Sequence, residues 1–298
     1  MDSYPPERRF PRRLIPLAAL GTALLLGGCS PGDWPVLFPD GPIAFIEREL
    51  LFTAVGLMLI VIVPVWLLAL WVMLRYRAKD DDSNQAPDWQ SGKVDAVVWA
   101  VPALIVIAIG TLVWDYTHRL DPYRELASSE QAIEVQAVAQ DWKWLFIYPD
   151  QNVATVNELV FPVGRPVTFR ITSDTVMNSF YIPGLAGQIF AMAGMQTQLN
   201  VVADKPSTFR GRNTQYSGTG FADQHFAVKA VSEAEFETWL GMVRESPDRL
   251  DAATYAEVAK PSEKAPVSYF ASAEAGLFDK IIEKYMGPMA HGEMGQSN

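Results

Sequence analysis

Cys29 is the one thiol in 298 residues, and it closes the run Leu26-Gly27-Gly28-Cys29. Ahead of it, Arg8, Arg9, Arg12 and Arg13 form a basic block and Leu14 to Leu26 a short apolar one, with small residues at the junction. That order is the layout of an export signal. A thiol directly after such a junction resembles the bacterial lipobox, in which it is acylated and becomes the first residue of the mature chain. The other reading is a cysteine that falls by chance in an uncleaved membrane anchor. Either way the rest of the chain holds no thiolate. It can form no disulfide, iron–sulfur cluster or cysteine-bridged copper centre of its own.

Other reactive side chains are sparse. The histidines are His118, His225 and His291. None follows a serine elbow and no glycine-rich phosphate loop occurs, which leaves hydrolase and nucleotide chemistry without a basis. Met177, Met192 and Met195 could offer thioethers to copper, but no group of histidines stands beside them, so they read as core and contact residues. His291 with Met289 and Met294 could bind copper weakly, although their Gly-, Met- and polar-rich tail, 287–298, reads first as disordered. His118 reads as an interfacial polar residue. The formal charge is −10, and residues 1–28 are net positive, so the chain from Cys29 onward is more acidic still. Nucleic acid, which needs a basic face, is excluded as a partner. Acidity suits solubility on an exported domain.

These residues need elements to position them. Leu50 to Leu74 is an uncharged apolar run with Pro64 inside it, long enough to cross a bilayer core about 30 Å thick. Ala96 to Trp114 is a second run, near the minimum spanning length, with Pro102 early in it where proline costs least. Between them Arg75, Arg77, Lys79 and Lys93 crowd the helix ends, against only Arg48 and Arg119 on the far side. The positive-inside rule makes this short loop cytoplasmic and puts both the amino terminus and the long carboxy-terminal part outside, in agreement with the export signal. From Gln131 onward, alternating segments at Ile133–Ala139, Trp144–Tyr148, Leu159–Phe161, Val167–Ile171, Leu199–Val202 and Phe226–Ala230, punctuated by Gly and Pro, predict an all-β Greek-key sandwich or barrel. Ser232-Glu233-Ala234-Glu235 has capping-box spacing ahead of Phe236. Further helices are expected at Asp251 to Ala259 and Glu274 to Met286, the last with Leu277, Phe278, Ile281, Ile282 and Tyr285 on one face.

Two spans followed by an exported sandwich resemble subunit II of the heme–copper respiratory oxidases. The motifs that carry the resemblance are Lys93-Val94-Asp95-Ala96-Val97-Val98-Trp99, Asp141-Trp142-Lys143-Trp144, Val176-Met177-Asn178-Ser179-Phe180-Tyr181-Ile182-Pro183, Ala191-Met192-Ala193-Gly194-Met195-Gln196-Thr197 and Tyr216-Ser217-Gly218-Thr219-Gly220-Phe221. With Cys29 and both spans they cover nearly the whole mature chain, and the bo-type ubiquinol oxidases are the branch it resembles most. The resemblance implies a membrane-anchored, two-helix transmembrane hairpin plus a cupredoxin-like sandwich with C-terminal helices.

In copper-bearing members the sandwich holds two coppers through a histidine in Ser-Phe-x-x-Pro and then Cys-x-Glu-x-Cys-x₃-His-x₂-Met. Soft thiolates bridge the metals, and imidazole and thioether complete the sphere. Here Asn178 stands for the first histidine, Tyr216 and Gly220 for the cysteines, Gly218 for the glutamate, and Gln224 and Ala227 for the later histidine and methionine. His225 is one place off that frame. Loss of the whole set implies a subunit with no metal and no catalytic centre of its own, in an oxidase fed by ubiquinol. Hemes and copper are then expected in partner subunit I, with smaller membrane subunits and the lipid bilayer as further partners.

By the same resemblance Asp95 is a candidate proton-entry carboxylate at the cytoplasmic mouth of subunit I. On its own residues Asp95 is an acid near a helix N-terminus, favoured by the dipole by about 0.3–1 kcal/mol, and the two roles are compatible. Trp142 and Trp144, on the electron path in copper-bearing relatives, are expected to be packing or interface aromatics. The division expected is a lipoprotein signal at 1–28, a periplasmic segment at 29–49, spans at 50–74 and 96–114 around a cytoplasmic loop at 75–95, a sandwich at 115–231, helices at 232–286 and the tail. The location implied is the inner membrane. A copper-bearing cytochrome c oxidase subunit and a free periplasmic binding lipoprotein are the alternatives; the missing cysteines count against the first and the two spans against the second.

Overall fold

A computed structural model describes residues 34–76, 92–126, 128 and 130–286. Cys29 with its signal, most of the inter-helix loop, and the tail with Met289, His291 and Met294 lie outside the described residues.

Gly41 is extended and Pro42 opens helix α1, Pro42–Arg75, where a missing N–H costs nothing. Helix α2 is Gly92–Arg119. At 1.5 Å per residue these 34- and 28-residue helices reach about 50 and 40 Å, so each extends beyond the apolar run it contains. Pro64 and Pro102 lie inside them without ending them. The apolar side chains of both are exposed, Trp66, Trp99 and Trp114 among the most. Such faces are soluble only in lipid or against another apolar chain.

Eleven strands follow among the described residues. β1 (Ile133–Gln140), β2 (Lys143–Tyr148), β3 (Val153–Val156), β5 (Val167–Ser173), β8 (Thr197–Val201) and β11 (Ser268–Phe270) form a six-stranded sheet in the order β11-β3-β2-β1-β5-β8. β4 (Glu158–Pro162), β10 (His225–Val231) and β9 (Ser207–Arg212) form a second sheet, and β6 (Asn178–Phe180) pairs with β7 (Ile189–Ala191). β1 runs parallel to β5 and β10 parallel to β4, while the other pairs are antiparallel.

The inward faces share one core. Trp144 and Phe146 from β2, Phe180 from β6 and Phe226 from β10 are fully buried and touch ring to ring, with centroids 5.0–6.4 Å apart. The six-stranded sheet is covered on its other face as well. Val138, Leu145, Ile147 and Val156 pack there against Leu250, Phe270, Leu277, Phe278, Ile281 and Ile282 from the carboxy-terminal segment.

Three helices build that segment and its approach: α3 (Glu233–Arg244), α4 (Ala252–Val258) and α5 (Leu277–Glu283). The expected capping box is complete. The Ser232 hydroxyl accepts from the Glu235 N–H and the Glu235 carboxylate accepts from the Ser232 N–H. Asp251 caps α4 by accepting from the Thr254 N–H. Helix α5 is shorter than the periodicity predicts, because Gly276 takes a left-handed turn just before it and Tyr285 falls beyond its end. Tyr285 is 41% exposed and donates to the Asp174 carbonyl, so it leaves the apolar face on which the sequence places it. Met177 and Met195 are exposed too, which corrects their reading as core residues.

Candidate functional site

The residues singled out as ligand positions fall on four elements of the sandwich. Asn178 opens β6, and Gln224 ends the turn Phe221–Asp223 just before β10. Tyr216, Gly218 and Gly220 lie on the loop between β9 and that turn, and Ala227 sits on β10 opposite Arg210 and Glu158.

Asn178 and Gln224 are brought together through a residue that the motif comparison did not single out. The Asn213 amide, 4% exposed, donates to Asn178 Oδ1 at 2.6 Å and to Gln224 Oε1 at 2.8 Å, with Ser217 Oγ at 3.2 Å. Its own oxygen accepts from the Ser179 and Gln215 N–H groups at 2.8 and 2.9 Å. Ser217 donates to Gln224 Oε1 at 2.8 Å, the Gln224 amide donates to the Gln140 carbonyl, and Asn178 Nδ2 donates to the Val176 carbonyl. The cluster consists of neutral amides and hydroxyls whose hydrogens and lone pairs are spent on one another. Buried polar groups are stable only when paired in this way.

Tyr216, Gly218, Gly220 and Ala227 do not join it. Tyr216 is 73% exposed and leans on Phe221, with ring centroids 5.7 Å apart. The two glycines lie under Trp142. That residue takes a left-handed backbone, φ 63°, which turns its indole over the loop, and its Nε1 donates to the Ser217 carbonyl at 3.1 Å. A Cβ on Gly220 would stand 2.4 Å from the indole Cδ2, so no side chain fits there while Trp142 keeps its place. Gly218 has φ +109°, in the range that favours glycine.

The donor set therefore does not fit a dinuclear copper centre. A soft, thiolate-bridged pair needs anionic sulfur and imidazole, and this pocket offers amides already committed to each other. Among the described residues no group of three His, Cys, Asp or Glu side chains is placed to hold a metal ion. His225 makes no hydrogen bond to the cluster among the described residues; it lines a cavity with Trp34, Phe38, Arg210 and Arg212, which Asn213 and Gln224 border as well. Burial and the nearby Arg210 charge lower its pKa, with Asp223 acting in the opposite sense.

Asp95 lies in the first turn of α2. His118 follows the second apolar run, exposed, with Nδ1 2.7 Å from the Trp114 carbonyl. Trp144 is fully buried in the aromatic core, as its reading as a packing residue expects. No signal of periodicity or charge marks Asn213 or Ser217. The one hint was position, Ser217 inside the Tyr216–Gly220 loop and Asn213 three residues ahead of it.

Residues 104–231 match the family model described as cytochrome c oxidase subunit II, periplasmic domain, and residues 244–289 match the COX aromatic rich motif. The chain is 45% identical to cytochrome bo(3) ubiquinol oxidase subunit 2 of Pseudomonas putida over 94% of its own length and 88% of that protein's. It belongs to the ubiquinol oxidase subunit 2 family. The same-named protein of Pseudomonas aeruginosa is 47% identical over 90% of this chain and 80% of that one. Ubiquinol oxidase subunit 2 of Acetobacter aceti is 44% identical over 93% and 90%. As a member of the ubiquinol oxidase subunit 2 family, the chain joins a two-helix membrane part to a cupredoxin-like sandwich, and the aromatic rich motif coincides with the segment that covers the six-stranded sheet.

Proposed function

We propose that this chain is the non-redox subunit II of a proton-pumping ubiquinol oxidase, a complex that oxidises ubiquinol, reduces oxygen to water and moves protons outward. The relatives' names support the complex. The observation that carries the non-redox role is the Asn178–Asn213–Gln224–Ser217 cluster, which fills the sandwich where a copper pair would need sulfur and imidazole. Electrons then pass from quinol to heme and copper held in subunit I. This chain packs α1 and α2 against that subunit and caps it with the sandwich, a role suited to two helices whose apolar faces lack any cover of their own.

In this reading the mature chain begins at acylated Cys29, the sandwich is periplasmic and the inter-helix loop is cytoplasmic. The export signal and the clustered basic residues support that orientation. Asp95, at the cytoplasmic start of α2, then stands where a proton enters the complex. Purification of the intact chain in mild detergent is expected to bring down a heme-bearing partner whose spectrum responds to ubiquinol, with no mixed-valence copper signal by electron paramagnetic resonance. A chain recovered alone, or that copper signal, overturns the reading. Asp95→Asn is expected to lower turnover and proton uptake of the assembled oxidase together, and unchanged uptake removes the proton role.

A further inference from the structure

Where the two helices meet the sandwich they leave a cavity of about 500 Å³ that the function above does not use. Its wall is apolar: Ile43 and Ile46 from the first turns of α1, Leu120 just past α2, and Leu199 from β8. Its rim carries three acids, Glu47, Asp121 and Glu125, and two bases, Arg119 and Arg124. Asp121 is engaged locally, accepting from the Tyr123 N–H at 2.9 Å, and Arg119 pairs through Nε with Asp115 at 3.0 Å. Arg124 and Glu125 enter no ion pair among the described residues. Glu47 is held in place by the Gly187 N–H, which donates to Oε1 at 2.7 Å and leaves the other carboxylate oxygen free of that bond. The close approach depends on glycine, since a Cβ at 187 would lie 2.7 Å from that same oxygen.

The depth of the cavity narrows what can fill it. Glu47 lies three residues before the apolar run of α1 begins at Leu50, and Arg119 five after Trp114 closes the run of α2. At 1.5 Å per residue that is roughly 5–8 Å outside the hydrocarbon. The headgroup layer of a leaflet is about as thick.

We propose that this cavity binds a phosphatidylethanolamine of the outer leaflet, its phosphate toward Arg119 and Arg124, its ammonium toward Glu47 and Glu125, and the upper part of its chains against the apolar wall. The rim presents both signs of charge, as a zwitterion does. A headgroup that is only anionic meets Glu47 and Glu125 with no cation to offer them. A choline headgroup has no N–H to donate to Glu47. A quinol carries no charge and leaves the arginines unmatched. The inference rests on the reading that both helices cross the bilayer with the sandwich outside.

The test is made on the full-length chain in its purified complex. The complex is reconstituted into nanodiscs of synthetic phosphatidylethanolamine, phosphatidylcholine or phosphatidylglycerol, returned to mild detergent, and its retained lipids are counted by native mass spectrometry. The wild type is expected to keep one more phosphatidylethanolamine than Glu47→Gln/Arg124→Gln, with equal counts in the other two lipids. Glu47→Gln preserves the acceptor for Gly187, and Arg124 is exposed, so the variant keeps the fold. Equal phosphatidylethanolamine counts overturn the site. So does loss of a protein subunit or of ubiquinol in place of the lipid, and so does an equal loss of all three lipids. A chain that purifies without a heme partner overturns the functional reading, while the lipid count on that chain still decides this one.

Discussion

Gly220 and Trp142 constrain one another across the sandwich, and the pair shows where residue-level reading runs out. The alignment of motifs singles out Gly220, but the left-handed turn that throws the Trp142 indole over it depends on contacts far apart in the sequence. Asn178 and Gln224 were legible from motif position; Asn213 was not, because a neutral amide in a loop has no period and no charge to betray it. Adding a methyl at Gly220 drives atoms into a filled space, a strain of about 1–3 kcal/mol. Gly220→Ala is therefore expected to lower the thermal midpoint of the purified chain. Combined with Trp142→Gly, which removes the obstructing ring, it should cost less than the two single changes added together. Strict additivity would place the ring elsewhere. His225 gives a pH prediction at the same scale. Its folded pKa lies below the ordinary value near 6.5, so in the window between the two the unfolded chain binds more protons. Stability contributed by the neutral imidazole is present above that window and is lost as pH falls through it. His225→Gln should flatten this part of the stability profile, and an unchanged slope would remove the assignment.

Among the elements, the strands that sequence analysis found are those with one buried and one polar face, such as β10, or with a long apolar run, such as β2. β3 is short and buried on both sides, so it shows no alternation. β6, β7 and β11 have three residues each, too few for any period to show. The carboxy-terminal helices were legible as helices, whereas their docking was not, since it is set by two buried acids. Asp174 accepts from the Tyr255 hydroxyl at 2.6 Å and pairs with Lys284 at 2.7 Å, and Glu158 accepts from Trp239 Nε1 and the Tyr269 hydroxyl. Burial and the neighbouring Glu158 push the Tyr269 pKa up to about 12, so this clasp stays protonated at any physiological pH. The apolar weight of the docking lies in α5. Phe278 is 1% exposed between that helix and the outer face of the large sheet. Phe278→Ala is expected to cost about 3–5 kcal/mol, the range for a buried aromatic truncated to a methyl. The loss should show as faster protease cleavage between residues 245 and 286 ahead of the rest of the sandwich, and uniform cleavage would mean that the segment does not fold back as a unit.

For the whole molecule, the membrane hairpin and the sandwich that follows it are legible because lipid imposes length and charge rules that a single sequence obeys visibly. The same rules make the orientation open to a direct chemical test, since the chain has one cysteine. If Cys29 is acylated its sulfur is a thioether, and the wild-type chain takes up no maleimide even when denatured. Against that silent background new thiols report their side of the membrane. Tyr216 is 73% exposed on the sandwich, so Tyr216→Cys should react with an impermeant maleimide on intact spheroplasts. Ser83→Cys, in the loop between the spans, should react only after the membrane is opened. Because Tyr216 stands outside the amide cluster, its replacement leaves the buried hydrogen bonds in place, so labelling there reports on topology with the sandwich folded. The three readouts are independent in cause. A reactive wild-type chain removes the lipid and leaves the orientation standing, whereas labelling of Ser83→Cys on intact spheroplasts inverts the hairpin and carries Asp95 to the wrong face for proton entry.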